Sequence, residues 1–309
     1  MPELARFEAG DALDWEAVWA AFDRDGGLIV EGFISGMHKS PFHGFSVEFA
    51  QHREYVPGDD IKHIDWKVQA RTDRFYIKQY EEETNLRATF LVDASESMHF
   101  SSHKQGLSKY EYACATAASL SFLLQQQQDA VGLGVFDETL LTHLPASNSQ
   151  QQLKAMVHAM HIVKPQKKTS LEPIAHAMAE KMSRRGMICL ISDLFVDIEG
   201  VVRALEHFRH RGHEVMVLHI MDPAELEFPY QGTTRFRGME AMGELTLEPR
   251  ALREAYLAEV KAFCHEIKRK CVAGRMDYKL LSTADHLDAG LSAFLAARAA
   301  AVRKTSAKR

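Results

Sequence analysis

From Arg87 onward, short apolar runs alternate with stretches whose apolar residues recur every three or four positions, and few folds satisfy that alternation. Residues 88–92 form a compact apolar run ending at Asp93, the pattern of a strand buried on both faces. Ser108 and Glu111 then have the spacing of a capping box. They open a helix whose stripe is Tyr110, Ala113, Ala117, Leu120 and Leu124. Further strands are expected at 131–136, 187–192, 215–220 and 278–281. A segment at 140–144 should pair with the first of these across a turn at Asp137 and Glu138. Helical patterns occupy 151–163, 171–182, 201–208, 249–270 and 287–298. Strands separated by helices specify a doubly wound, mostly parallel α/β sheet with helices on both faces. In such sheets ligands bind beyond the carboxyl ends of the strands. Asp93 and Asp193 each follow a strand directly, so both stand where that rule puts functional groups.

Two regions interrupt the alternation. Residues 225–248 hold Gly232, Gly238 and Gly243 between short β-like pieces and read as a small inserted lobe. Residues 1–85 show little periodicity and read as an amino-terminal extension. The α/β domain then runs over 86–300, and 301–309 form a basic tail. A chain of 309 residues has room for about two domains of ~150 residues. The alternation favours one α/β domain with additions.

Composition excludes several classes. Apolar residues make up 46% and charged residues 26%, a balance that buries a core and does not suit a disordered chain. Lys and Arg number 37 against 42 Asp and Glu, a net charge of −5. An acidic chain lacks the basic surface from which non-specific nucleic-acid affinity comes. The four cysteines, Cys114, Cys189, Cys264 and Cys271, have neither CxxC spacing nor disulfide-framework density, and a cytoplasmic location is expected. The first fifteen residues carry Glu3, Glu8, Asp11 and Asp14 and have no apolar core, unlike a secretion signal. No apolar run reaches the ~18 residues needed to span a bilayer.

The loop after the first buried strand reads Asp93-Ala-Ser95-Glu-Ser97. One carboxylate and two hydroxyls on alternate residues can face a single point. Hard oxygen ligands of low total charge suit Mg²⁺, with Mn²⁺ or Ca²⁺ as other candidates. Thr169, just before a helix, adds a third hydroxyl, and Asp193 adds a second carboxylate. This D-x-S-x-S, T, D set is similar to the metal-ion-dependent adhesion site of von Willebrand factor A domains. There the ion keeps one position open for an acidic side chain of a partner. Lys167 and Lys168 directly precede Thr169, so they could weaken metal binding or help draw in an acidic partner. Ser170 is the alternative hydroxyl.

Other chemistries lack their residues. There is no G-x-x-x-x-G-K-[ST] loop for nucleotide phosphates and no G-x-S-x-G nucleophile elbow. Position 95 is Ser where a haloacid-dehalogenase-like phosphatase would need Asp. Gly132 and Gly134 fit strand packing better than a dinucleotide fingerprint. His207, His210, His213 and His219 have no H-E-x-x-H spacing, and helix-end and surface roles are expected of them.

Upstream lie GMHKS (36–40), GFSVEFA (44–50), REYVPGDDIKHIDWK (53–67), ART (70–72), Lys78 and YEEE (80–83). This succession, running into a strand and the DASESM loop at 93–98, resembles the signature of the bacterial domain-of-unknown-function 58 (DUF58) family. Members of that family are of the von Willebrand factor A type. The closing strand at Asp277 and Tyr278 and FLAAR at 294–298 are similar to the family's end. The resemblance implies a non-enzymatic adaptor or chaperone-like partner of MoxR-type AAA+ ATPases and their client proteins. Many relatives carry membrane helices; a soluble version is implied here.

Within 51–85 six basic and eight acidic residues mix. Asp59, Asp60, Asp65 and Arg71 therefore form either an ion-paired structural network or a partner-docking surface. Two alternatives keep the same fold. One is a metal-dependent hydrolase using the ion as Lewis acid, with Glu96 or His99 as base. The other is an interaction module that has lost the ion. The net charge sharpens the leading expectation: an acidic partner must be met by local positive potential, from a bound divalent ion and from Lys167 and Lys168.

Overall fold

The computed structural model describes residues 46–285, apart from 57–64, 73, 84–85, 103–105, 127, 166, 183 and 238–243. The expected helix at 287–298 and the basic tail lie outside the described residues. The chain divides into two compact units, residues 40–86 and the remainder.

In the smaller unit, β1 (Ser46–Glu54) pairs antiparallel with β2 (Tyr76–Glu83), with a register shift between Phe49 and Gln51. The intervening α1 (Trp66–Thr72) starts at Asp65, which is buried. Asp65 donates its N–H to the Tyr76 carbonyl and accepts from the Val68 N–H through its carboxylate. It thereby acts as a helix-starting residue of the kind Asp favours. The Phe75 ring meets Tyr55 and Trp66 edge-on, at 6.5 and 6.4 Å between centroids.

The larger unit is built on a six-stranded sheet of order β10-β7-β6-β3-β4-β5. Its strands are β3 (Arg87–Asp93), β4 (Ala130–Phe136), β5 (Leu140–Ser147), β6 (Met187–Ser192), β7 (Glu214–Met221) and β10 (Asp277–Ser282). All neighbours are parallel except β5, which folds back antiparallel on β4. Strands β4 and β6 are buried along their whole length, as expected where helices cover both faces of a parallel sheet.

The helices are α2 (Lys109–Gln126), α3 (Gln152–Ile162), α4 (Leu171–Lys181), α5 (Ile198–His210), α6 (Pro223–Glu227) and α7 (Pro249–Ala273). Leu171, Ile174 and Met178 of α4, Val201, Leu205 and Phe208 of α5, and Ile267 and Cys271 of α7 share one apolar cluster with Leu91, Ile188, Leu190, Val215 and Val217 of the sheet. Helix α2 packs on β3 and β4 and is buried on nearly every side, the mark of a core helix and not a surface one. Its capping box is formed as the spacing predicts: the Ser108 N–H donates to Glu111 Oε2 at 2.8 Å, and the Glu111 N–H to Ser108 Oγ at 3.2 Å.

Close backbone approaches explain two glycines. A Cβ on Gly132 would stand 2.9 Å from both the Ala146 nitrogen and the Leu144 oxygen of β5, which bears out strand packing there. A Cβ on Gly186 would stand 2.3 Å from the Arg87 carbonyl oxygen. Between β7 and α7, α6 is followed by a hairpin of β8 (Thr234–Arg237) and β9 (Glu244–Leu247). Phe228 fastens that hairpin, its ring 4.4 Å from Tyr256 and 5.7 Å from Phe236.

The topology fixes where a ligand would sit. The chain leaves β3 towards β4 on one side and returns to β6 on the other, so the switch point lies between β3 and β6. Crevices at such points, beyond the carboxyl ends of the strands, are the usual binding places of this architecture. Asp93 ends β3 and Asp193 follows β6, one on each flank of the switch.

Candidate metal centre

Asp93 is fully buried, and its carboxylate is the hub of the switch point. Oδ1 accepts from the Ser95 N–H at 2.9 Å, an Asx-type turn that reverses the chain at the strand end. Thr169 Oγ1 lies 3.0 Å from each carboxylate oxygen, and Ser192 Oγ donates to Oδ2 at 2.6 Å. Ser95 Oγ and Ser97 Oγ stand 3.1 Å apart. Asp93, Ser95, Ser97 and Thr169 are thus linked by a chain of short polar contacts.

The loops carrying these groups are joined through the main chain. Ser95 forms an isolated parallel bridge with Lys167, and the Glu96 N–H donates to the Lys167 carbonyl at 2.8 Å. That pairing holds Thr169 over Asp93. The Lys167 ammonium lies 3.9 Å from the Glu138 carboxylate, and Lys168 is exposed. Ser170 uses its N–H to donate to the Asp137 carbonyl at 3.3 Å. Of the remaining candidates, Asp65 starts helix α1, Arg71 is exposed in the smaller unit, and Asp59 and Asp60 lie outside the described residues.

Asp193 has different company. Its Oδ1 accepts from the Phe195 N–H at 3.2 Å, while Oδ2 pairs with Lys109 Nζ at 2.8 Å. Between Asp193 and Phe195, Leu194 adopts φ 56° although it is not glycine. Strained backbone of this kind gathers at functional sites. Lys109 is wholly buried at the first position of α2 and also pairs with Glu225 Oε1 at 2.7 Å. Its ammonium stands 4.8 Å from the Phe195 ring centroid and 5.9 Å from that of Phe100. Glu225 is held in turn by the α6 capping box, where its Oε2 accepts from the Asp222 N–H at 2.8 Å.

The electrostatics follow from burial. Loss of water, and then the nearby Asp193 charge, push the Asp93 carboxyl up to about 7, against the opposing hydrogen bonds from Ser192 and Ser95. Burial alone would lower Lys109, but the charges of Asp193 and Glu225 more than offset it, and the ammonium stays protonated above its ordinary range. Glu225 is raised, because burial outweighs the attraction of Lys109.

The donor set fits a small hard cation. Among the described residues no three His, Cys, Asp or Glu side chains gather at one point. What converges is carboxylate plus hydroxyl, oxygen chemistry that suits Mg²⁺ and not a soft metal. A cation there would also offset the burial, and then the Asp193 repulsion, that raise Asp93.

Three site residues were not read from the sequence: Ser192, Lys109 and Glu225. Ser192 was seen only as a strand end, although a hydroxyl one residue before Asp193 was a usable signal. The histidines need correction. His210 is exposed, as expected, but His213 and His219 are buried. His219 lies on β7 in register with Ser192. Its Nδ1 shares a 2.8 Å hydrogen bond with the Tyr278 hydroxyl, and its ring meets Phe263 edge-on. Burial lowers His219 to about 4.

Comparison with known proteins gives the following likenesses. Uncharacterized proteins of Mycobacterium tuberculosis and Mycobacterium bovis are 28% identical over 246 residues, covering 78% of this chain and 76% of theirs. BatB from Bacteroides thetaiotaomicron is 19% identical with a TM-score of 0.47, covering 70% of this chain and 99% of that one. The SpRpn10 VWA domain is 12% identical with a TM-score of 0.39, covering 70% and 94%. No helix among the described residues is long and apolar enough to cross a membrane. The sequence model of the family described as protein of unknown function DUF58 matches residues 51–266, and the chain belongs to that family.

Proposed function

We propose that this protein is a non-enzymatic, metal-dependent protein-binding module. Asp93, Ser95, Ser97 and Thr169, with Asp193 beside them, would hold Mg²⁺, and the ion would supply an electrophilic contact for a partner's carboxylate. The observation that carries the reading is the buried Asp93 carboxylate at the sheet's switch point, bonded by the Thr169 and Ser192 hydroxyls and the Ser95 N–H, with the Ser95 and Ser97 hydroxyls paired alongside. Buried carboxylates need a compensating charge, and hydroxyl neighbours can turn their lone pairs towards a cation as readily as they donate to Asp93.

The partner we propose is a MoxR-type AAA+ ATPase acting with a client protein, as the family resemblance implies, in a cytoplasmic setting. The outward Lys167 and Lys168 would add positive potential at the rim. That is the steering role expected of surface charge near a binding site.

Thermal unfolding under Mg²⁺ titration tests the ion. A ligand bound only by the native state at one hundred times its dissociation constant stabilises by about 2.7 kcal/mol, enough to raise the midpoint by several degrees. Asp93→Ala should abolish the rise while leaving the circular dichroism spectrum unchanged. Capture of the ATPase should require Mg²⁺ and fail in Asp93→Ala. Equal capture in excess chelator would leave a fold that binds without an ion.

A further inference from the structure

The two carboxylates of the switch point are not equally available to an ion. Asp93 is surrounded by hydroxyls, each of which keeps lone pairs that can join a cation's shell. Asp193 faces donors without lone pairs, the Phe195 N–H on Oδ1 and the Lys109 ammonium on Oδ2, so a cation drawing on it would meet a fixed positive charge. The ammonium itself cannot drift away. It is wholly buried, it lies against the Phe195 and Phe100 rings, and Glu225 grips it from the far side at 2.7 Å. Glu225 is fixed by the capping box of α6, and Asp222 of that box also accepts from the Ser102 N–H at 3.0 Å.

We infer that Lys109 is a positioning residue for the metal centre: a tethered counter-ion that withholds Asp193 from direct coordination, so that Asp93 is the ion's one carboxylate ligand. The inference rests on the metal-binding reading and deepens it. A divalent ion facing one carboxylate keeps net positive charge, which is what capture of an anionic partner group requires. Were Asp193 released, the ion would be neutralised within its own site. It would then bind the protein more tightly and a partner less well, since ligand charge count tunes the affinity of such oxygen sites.

Calorimetric titration of the full chain with Mn²⁺ and with Mg²⁺, each alone, tests this. The informative variant is Lys109→Met with Glu225→Gln, which removes one charge of each sign and so leaves the net charge of the buried cluster unchanged. It should bind Mn²⁺ at least about tenfold more tightly than the wild type. Adding Asp193→Asn to that background should erase the gain.

In the wild-type background, Asp193→Asn should weaken binding less than about tenfold, whereas Asp93→Asn should weaken it at least about a hundredfold. Should the double variant fail to fold, the comparison of those two single variants decides alone. Unchanged or weaker Mn²⁺ binding in a folded double variant overturns the role of Lys109, as does an Asp193→Asn loss equal to that of Asp93→Asn. Saturable binding by the wild type that Asp93→Asn removes keeps the metal reading standing in either case. No saturable binding by the wild type removes both.

Discussion

His219 should make the protein acid-sensitive in a way that can be isolated. Its ring is wholly buried on β7 beside Ser192 and bonded to Tyr278, and burial lowers it from 6.5 to about 4. The unfolded chain therefore takes up a proton on this side chain near pH 6.5, while the folded chain resists until about pH 4. Between those values the unfolded state holds more protons, so stability rises with pH and is lost on acidification. With these two values, the imidazole contributes almost nothing at pH 7 and opposes folding by about 2 kcal/mol at pH 5. His219→Phe keeps an aromatic ring against Phe263 and removes the proton site. Urea unfolding of both proteins at pH 7, 6 and 5 measures the difference. The wild type should lose about 2 kcal/mol more than the variant between pH 7 and pH 5. Parallel losses would show that this imidazole is solvated or already charged in the native state, and the burial argument would fall.

Two further perturbations probe the frame around the site. Gly186→Ala sets a methyl group 2.3 Å from the Arg87 carbonyl oxygen, and should lower unfolding free energy by about 1–3 kcal/mol in urea titration, the range for overpacking. Asp222→Ala removes the cap of α6 and releases the Ser102 N–H. It should cost about 1–2 kcal/mol in the same assay, the range for a lost cap, because Ser102 is exposed and water can take up its N–H. Unaltered midpoints in either variant would contradict the packing described here.

Much of the architecture was legible because it depends on local periodicity. Strand β6 was read at its observed bounds, and the capping box before α2 formed between the two residues that its spacing named. The loop from Asp93 to Ser97 was legible for the same reason, since alternate residues of one tight turn face together. What escaped was set by contacts distant in sequence. Lys109 looked like an ordinary first residue of a helix, where a charged side chain usually reaches water. Its partners lie 84 and 116 residues away, and no window of sequence contains them. His213 was misjudged because a histidine beside a helix end is usually solvated, and His219 because its place inside the strand expected at 215–220 was not weighed. In this sheet β7 is covered by β6 and β10 at its edges, and Phe208 and Phe263 meet the two rings.

The main-chain bridge between Ser95 and Lys167 has a mechanical consequence. Through it, the loop carrying Ser95 and Ser97 and the loop carrying Thr169 are tied to one another just beyond the end of β3. Force applied to an ion held between them would not peel away one loop at a time. It would be shared between β3, the innermost strand on one side, and α4, which is rooted in the apolar cluster on the other. On the proposed reading, a partner held through the ion would be anchored on both sides of the site. Single-molecule extension through a captured partner should then show one abrupt release and no staircase of small ones.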